Sequence, residues 1–336
     1  MFLSIIVPVY NAQLYLRDCL RTLLTQNIPA QDYEIICVND GSTDGSEAIL
    51  SEFAAAHSNL VTIHQENCGV ATARNVGLAE AQGDYIWFVD ADDFIQVNVL
   101  ERLRSAIAEA GCDQLVVGGY QFEQILTSQQ QALAREGNLP DNVPGPGAVV
   151  WRSLLRRSFL TDHSVSFRHP ELTHGEDGQF MYELSIESPR FTEIPDTVYF
   201  YRVRPGSAET ADSAEAMRKK LSSHIAVAGI MLEYYSSGRT DSGTANRLMS
   251  VLWNCLYGAA RLPLKHTLQV LSALTLRKLF PFRRPKSCTL SSSYTMSRDT
   301  FVDKVFDWAY IHMHTRLGFA LMWLLYHLAY VVLRSF

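Results

Sequence analysis

Four short apolar segments in the first ninety residues each end abruptly in polar residues, and helical periodicity fills most of the chain between them. The apolar segments are residues 3–11, 33–38, 60–63 and 85–89. This alternation predicts βαβ units built around a buried sheet. In such sheets, ligands bind at the carboxyl ends of the strands. We therefore expect Tyr10, Asp40, Asn67 and Asp90, which follow these ends, to line one crevice.

The fourth segment leads directly into an acidic run, Asp90-Ala91-Asp92-Asp93. Mg²⁺ and Mn²⁺ prefer oxygen ligands, and Mg²⁺ is commonly held by one or two carboxylates together with substrate phosphates. The run therefore predicts a divalent metal site for a phosphate compound. The alternative is an acidic turn that caps a following helix over residues 97–110.

Five segments, taken together and in this order, resemble glycosyltransferase family 2. They are residues 4–11, 38–46, 67–77, 90–93 and 175–177. The resemblance covers residues 1–210, and it implies a GT-A fold, in which a single nucleotide-binding mixed β-sheet is flanked by helices. It also implies that the protein uses a metal ion and a nucleotide-diphosphate sugar.

The resemblance also assigns residues to the donor sugar nucleotide. Asp40 has a carboxylate that can accept from a uracil N–H, and its alternative role is that of a turn residue before Gly41. Arg74 would pair with a phosphate or, alternatively, form a structural ion pair with Asp90 or Asp92. The donor-binding residues implied are Pro8, Tyr10, Asp40, Asn67, Arg74, Asp90, Ala91 and Asp92.

Within this set Asp92 would bind the metal directly, and Asp90 would contact the ribose or a metal-bound water. Asp93 is interpreted as a helix-start residue, and Asp44 as the cap of the helix that begins near Ser46.

Transfer to a sugar hydroxyl also needs a base, and the resemblance places it at Asp177, with Glu176 in support. The alternative is that both residues precede a helix over residues 179–186 and complement its dipole. Alternative roles are open for two further pairs of residues. Arg202 or Arg204 would screen the leaving diphosphate, or be solvated loop residues. Trp151 and Phe159 would stack on a sugar, or join the core.

Composition limits the class of protein. The chain has 336 residues, of which 47% are hydrophobic, so it can bury a full core beyond a single small domain. The net charge of −6 gives no reason to expect nucleic-acid binding. Six cysteines without CxxC spacing indicate reduced thiols and a cytosolic setting. The first apolar run is short and broken by Pro8, which favours a strand over a signal peptide.

The last third of the chain has a different pattern. We predict a glycosyltransferase domain over residues 1–210, with a nucleotide-sugar half (1–95) and an acceptor half (96–210), and a helical extension over residues 211–336. The extension contains a basic cluster near residues 277–286 and an uncharged stretch at 317–333. An interfacial helix, a membrane span and packing on protein are all open for that stretch. Interfacial binding is favoured, which predicts a peripheral position at the cytoplasmic face of the membrane.

The resulting hypothesis is an inverting, metal-dependent transferase. It would move a sugar, most simply from a UDP-sugar, to a glycan or lipid-linked acceptor in cell-surface polysaccharide synthesis. The non-enzyme alternative is a nucleotide-sugar-binding subunit without turnover. A sugar nucleotidyltransferase and a Rossmann dehydrogenase are disfavoured, because residues 8–16 lack the glycines that both classes carry after the first strand.

Overall fold

The structure, a computed structural model, describes residues 1–123, 141, 149–168 and 175–203, with a few residues between 215 and 230. The chain divides into two compact units. The first consists of Met1–Glu171 and Glu176–Thr210, and the second of Leu172–Gly175 and Ala211–Phe336. In the second unit Glu215 and Lys219 lie one helical turn apart and form an ion pair of 3.3 Å. Every strand and helix named below belongs to the first unit.

The parallel part of the sheet is formed by the four predicted apolar segments. They are β1 (Leu3–Val9), β2 (Tyr33–Asp40), β3 (Leu60–Gln65) and β4 (Tyr85–Phe88). Their spatial order is β3-β2-β1-β4, and every neighbouring pair is parallel. β2 and β4 are buried along their whole length, which is typical of parallel strands covered on both faces. The carboxyl ends of all four strands therefore meet at one edge.

The sheet continues with strands of mixed direction. They are β5 (Phe94–Ile95), β6 (Gln114–Glu123), β7 (Ser153–Arg156) and β8 (Phe191–Val203). β7 runs antiparallel to both β4 and β6, whereas β8 runs parallel to β6 and antiparallel to β5. The full order is β3-β2-β1-β4-β7-β6-β8-β5. The prediction of a single mixed sheet flanked by helices is confirmed.

Helices cover both faces of this sheet. They are α1 (Leu16–Leu24), α2 (Ser46–Ala56), α3 (Val70–Glu80), α4 (Leu100–Ala110), α5 (Arg157–Asp162) and α6 (Glu176–Ile186). Because side chains alternate along a strand, Ile5 and Val7 join the core with α1, α2 and α4, whereas Ile6 joins the core with α3, α5 and α6. Helices α3 and α6 thus pack on the same face, although a hundred residues separate them.

The predicted boundaries need three corrections. The second and third strands extend two residues further than predicted, to Asp40 and Gln65. The helix predicted over 97–110 begins at Leu100, so Asp93 does not start it. The helix predicted over 179–186 begins at Glu176, so Glu176 and Asp177 lie inside its first turn and not ahead of it.

Several predictions concern segments outside the described residues. Arg204, the basic cluster near residues 277–286 and the stretch 317–333 are not described. The two halves of the first domain and the helical, membrane-associating extension therefore stay predictions. Among the described residues, none of the helices has the length and apolarity needed to cross a bilayer.

Gly77 sets the distance between α3 and β1. A Cβ added to Gly77 would lie 2.4 Å from Cγ2 of Ile6, a fully buried residue with a stiff, β-branched side chain. Close approach at this point lets α3 lie flat on the sheet. The residues on the preceding turn of α3, including Arg74, depend on that position.

We expect Gly77→Ala to lower the free energy of unfolding by about 1 kcal/mol. The overpacking costs about 1–3 kcal/mol, which exceeds the roughly 1 kcal/mol that alanine gains over glycine in a helix. Gly178 in α6 is the matched control, because a Cβ there meets nothing within 4 Å. Gly178→Ala should therefore stabilise the protein. Urea denaturation of both variants measures the difference, and stabilisation by Gly77→Ala would contradict this account.

Candidate active site

Arg74 is the centre of the charged cluster at the carboxyl edge of the sheet. It lies on α3 with only 3% of its side chain exposed. Its Nη2 donates to Asp90 Oδ1 at 2.8 Å. Its Nη1 donates to Glu176 Oε1 at 3.1 Å and to Asp177 Oδ1 at 2.5 Å. One guanidinium therefore joins the acidic run after β4 to the first turn of α6.

The contacts of Arg74 resolve one of the alternatives that the sequence left open. Arg74 forms an ion pair with Asp90, which is the structural role that the sequence offered as the alternative to phosphate binding. The pairs with Glu176 and Asp177 were not expected, because more than a hundred residues separate these positions from Arg74. The assignment of Arg74 to the donor phosphates stays a prediction.

Asp40 organises the loop that precedes α3. It is buried, and its carboxylate accepts from Gln65 Nε2 at 2.7 Å, from Cys68 N at 2.8 Å and from Gly69 N at 2.9 Å. Gly41, at φ +70°, passes so close to this loop that a Cβ there would lie 2.9 Å from Asn67 N. Asp40 therefore fixes the loop after β3, a role different from the turn alternative, and its contact with a uracil stays a prediction.

The loops after β1 and β2 are held together beside Asp40. The side chain of Asn11 accepts from Thr43 N at 2.8 Å, and that of Gln13 accepts from Gly45 N at 2.6 Å. Asp44 accepts from the backbone of Gln13 and, at 3.0 Å, from the backbone of Ser46. The predicted contact of Asp44 with the start of α2 is present, although Gly45 occupies the N-cap position itself.

Three of the predicted donor residues around these loops are exposed or partly exposed. Tyr10 is 52% exposed, and Pro8 is partly exposed at the end of β1. Asn67 is also exposed on the facing loop. Exposed aromatic and amide groups beside a crevice can contact a planar base. Their assignment to the nucleotide stays a prediction.

The acidic run divides into two exposed carboxylates and one buried one. Asp90 and Asp92 are partly exposed, whereas Ala91 and Asp93 are buried. Asp93 accepts from the hydroxyl of Tyr199 at 2.7 Å and from the backbone N of Arg202 at 2.7 Å. The interpretation of Asp93 as a helix-start residue is wrong, because the residue binds β8 instead.

Tyr199 and Arg202 hold the backbone of this run in place. The hydroxyl of Tyr199 accepts from Asp90 N at 3.1 Å, and Nε of Arg202 donates to the carbonyl of Asp92 at 2.9 Å. Arg202 is buried, and its guanidinium lies 5.1 Å from the ring of Tyr15. The interpretation of Arg202 as a solvated loop residue is therefore wrong. Sequence reasoning missed Tyr199 as a site residue, and the signal that could have found it is its place in a continuous apolar and aromatic run of β8, of which residues 197–200 are all buried.

Trp151 packs in the core. It is 4% exposed and stacks on Tyr199 with 4.3 Å between the ring centroids. Of the two roles considered for Trp151, contact with a sugar is therefore excluded in this arrangement.

Burial and neighbouring charges change the ionisation of the site. Burial, helped by the carboxylates of Glu176 and Asp90, raises the pKa of Asp177 to about 7, although Arg74 and a hydrogen bond from the Val150 backbone oppose the increase. Burial lowers the pKa of Arg74, but the three carboxylates around it outweigh that effect and raise the pKa above its ordinary value.

The residues present fit a divalent cation only in part. Among the described residues, no group of three His, Cys, Asp or Glu side chains is arranged to hold a metal ion. Asp90 and Asp92 are partly exposed carboxylates at the strand ends, whereas Asp93 is committed to Tyr199 and Arg202. Two partly exposed carboxylates, of which Asp90 also accepts from Arg74, agree with magnesium sites that are completed by substrate phosphates. The metal therefore stays a proposal.

Comparison with known proteins decides the family. The model of the family described as "Glycosyl transferase family 2" matches residues 4–165. The chain therefore contains a glycosyltransferase family 2 domain over residues 4–165. Among its relatives, glycosyltransferase GlyA of Streptococcus pneumoniae is 31% identical over 221 residues, which cover 61% of this chain and 31% of GlyA. Putative glycosyltransferase EpsH of Bacillus subtilis is 33% identical over 216 residues, which cover 61% of each chain.

A solved structure confirms the fold. The crystal structure of S. aureus TarS in complex with UDP-GlcNAc matches with a TM-score of 0.70 and 20% identity. The match covers 100% of the present chain and 92% of the TarS chain. The GT-A fold expected from the sequence is therefore confirmed. The present chain spans less than two thirds of the length of GlyA and of EpsH.

Removing Asp93 should destabilise the acidic run. In Asp93→Ala the buried hydroxyl of Tyr199 and the backbone N–H of Arg202 lose their acceptor, and each unsatisfied buried group costs about 1–3 kcal/mol. The control is Asp84→Ala at an exposed position, for which we expect a change within about 0.5 kcal/mol. Equal unfolding midpoints in urea for the two variants would show that Asp93 does not anchor this segment.

Proposed function

We propose that the protein is an inverting glycosyltransferase that moves a sugar from a nucleotide-diphosphate sugar to a hydroxyl of an acceptor. The observation that carries the proposal is the position of Asp177, which shares the guanidinium of Arg74 with Asp90. A base beside the donor loop is the arrangement that single displacement requires. Membership of family 2 supports the same reaction.

In the proposed reaction, Asp177 removes the proton from the acceptor hydroxyl. The hydroxyl oxygen then forms a bond to the anomeric carbon from the face opposite the nucleotide, and the bond between that carbon and the diphosphate oxygen breaks. The nucleoside diphosphate leaves with the electron pair, and the anomeric configuration is inverted. Positioning of the two reactants and the raised pKa of Asp177 both favour this step.

We assign Asp90 and Asp92 to a divalent cation, Mg²⁺ or Mn²⁺. When bound, the cation would neutralise negative charge on the leaving diphosphate. Pro8, Tyr10, Asp40 and Asn67 are proposed to hold the nucleotide, whose base we infer to be uracil. The structure of TarS with UDP-GlcNAc supports a UDP-sugar donor.

The acceptor and the cellular location are proposed from the chain's own sequence. A glycan or lipid-linked saccharide acceptor suits a protein whose extension, residues 211–336, contains a basic cluster beside apolar segments. We infer peripheral binding of this extension to the cytoplasmic face of a membrane. Such attachment would raise the local concentration of a lipid-linked acceptor.

Release of nucleoside diphosphate tests the activity. A panel of UDP-, GDP- and TDP-sugars, with membrane extract as the acceptor source, is assayed with Mn²⁺ or EDTA for wild type, Asp92→Ala and Asp177→Asn. We expect release from one donor, loss of release in EDTA and a decrease on the order of 10²-fold or more in each variant. Asp84→Asn, at an exposed position, is the control. Tight donor binding without release in the wild type would instead favour the non-catalytic binding subunit, and pyrophosphate formation from a sugar phosphate and an NTP would favour a nucleotidyltransferase.

The pH dependence tests the assignment of the base. Asp177 acts only when deprotonated, and burial raises its pKa to about 7. We therefore expect kcat/KM to increase as the pH is raised through about 7 and to fall tenfold per pH unit well below that value. Steady-state measurements of kcat/KM between about pH 5 and pH 9, at constant ionic strength, test this expectation. A profile with its only acid-side transition near pH 4 would show that the catalytic base does not have the raised pKa expected of Asp177.

A further inference from the structure

The guanidinium of Arg74 is fixed from several sides. The guanidinium lies over the ring of Phe167 in a cation–π contact, with 5.4 Å between its carbon and the ring centroid. Phe167 in turn stacks on Phe180 of α6, with 4.4 Å between centroids. Both terminal nitrogens of Arg74 donate to carboxylates, and Nε is buried with no hydrogen-bond partner among the described residues. The guanidinium therefore has little freedom to turn toward another ligand.

The neighbouring residue on α3 makes a second connection to the same region. Asn75 Nδ2 donates to the carbonyl of Phe167 at 2.6 Å, and Asn75 Oδ1 accepts from Phe167 N at 3.0 Å. Asn75 thus binds the backbone of Phe167 while Arg74 lies against its ring. Consecutive residues of α3 connect this helix to α6 through one aromatic residue, which fixes the first turn of α6 relative to the acidic run.

Electrostatics gives this connection a chemical consequence. Arg74 donates to Asp177 and favours its ionised form, whereas Glu176 on α6 and Asp90 after β4 carry negative charge that opposes ionisation. The backbone of Val150, in the turn before β7, donates to the same carboxylate. A cation within hydrogen-bonding distance stabilises the ionised form of a carboxylate, so Arg74 opposes the effect of burial.

We propose that Arg74 is a positioning residue that holds Asp177 for proton abstraction and ties it to the donor-side loop through Asp90. This inference rests on the proposed function and deepens it. It assigns Arg74 to the base rather than to the donor diphosphate. Arginine suits the role because its planar fork can serve two carboxylates at once, whereas lysine provides a single point of charge.

The test compares Arg74→Lys and Arg74→Met with the wild type. In Arg74→Lys we expect kcat to fall on the order of 10²-fold, because the fork is lost, while the KM for the donor is unchanged. In Arg74→Met the charge is lost too, and the acid-side limb of the pH profile should move upward by about 1–3 units. The matched control is Arg17→Lys, in which an exposed arginine loses a similar two-nitrogen contact with Glu52. This control should leave both kcat and the pH profile unchanged.

A second measurement does not need turnover. In protein labelled with ¹³C at the aspartate carboxyl, the signal of Asp177 is assigned by its absence in Asp177→Asn. Its pKa should be about 7 in the wild type and higher in Arg74→Met. If Arg74→Met does not fold, Arg74→Lys supplies the comparison, with a smaller shift expected in the same direction because one amine replaces the fork.

The outcomes separate the two proposals. A donor KM about tenfold higher in Arg74→Lys, with an unmoved pH profile, would assign Arg74 to the donor and overturn the inference. Turnover in the wild type with no change in the Asp177 signal on substitution of Arg74 would do the same and leave the proposed function intact. No turnover by the wild type, together with the expected change in the Asp177 signal, would confirm that Arg74 acts on Asp177 but would contradict the proposed function and, with it, a role in proton abstraction.

Discussion

The buried cation of Arg74 is the interaction on which the site depends. A guanidinium that is 3% exposed requires anionic partners, since an unpaired buried charge costs several kcal/mol. The partners come from the acidic run after β4 and from the first turn of α6. These segments meet only if α3 and α6 pack on the same face of the sheet. The charge therefore makes the fold and the site mutually dependent.

The sheet provides this arrangement through strand direction and side-chain alternation. Four parallel strands bring their carboxyl ends to one edge, where Tyr10, Asp40, Asn67 and Asp90 follow. The mixed part of the sheet then brings in supporting residues from later in the chain, on β8. Tyr199 and Arg202 contact Asp93 and the backbone of the acidic run from β8. Residues of β8 thus fix the backbone of the segment that carries Asp90 and Asp92. The side chains of both aspartates are partly exposed.

Local patterns predicted the parallel strands, their polar ends and the family, because apolar periodicity and strand punctuation are local properties. The connections across the site were not predictable in this way. Arg74 and Asp177 are 103 residues apart, and Asp93 and Tyr199 are 106 residues apart. Propensity rules also misassigned Asp93 and the start of α6, since a short acidic residue suits both a helix cap and a buried hydrogen-bond acceptor. Tertiary pairing decided between those roles.

The charge balance of the cluster supports the proposed cation requirement. One guanidinium faces three carboxylates, and Asp92 adds a further carboxylate on the donor side. A nucleotide diphosphate would bring more negative charge to the same edge, which like-charge repulsion disfavours. Arg74 already forms ion pairs with three carboxylates, so its positive charge does not offset the added charge of a diphosphate. A divalent cation between the acidic run and the diphosphate would supply the missing positive charge, and it would leave Arg74 bound to Asp177 when the donor is present.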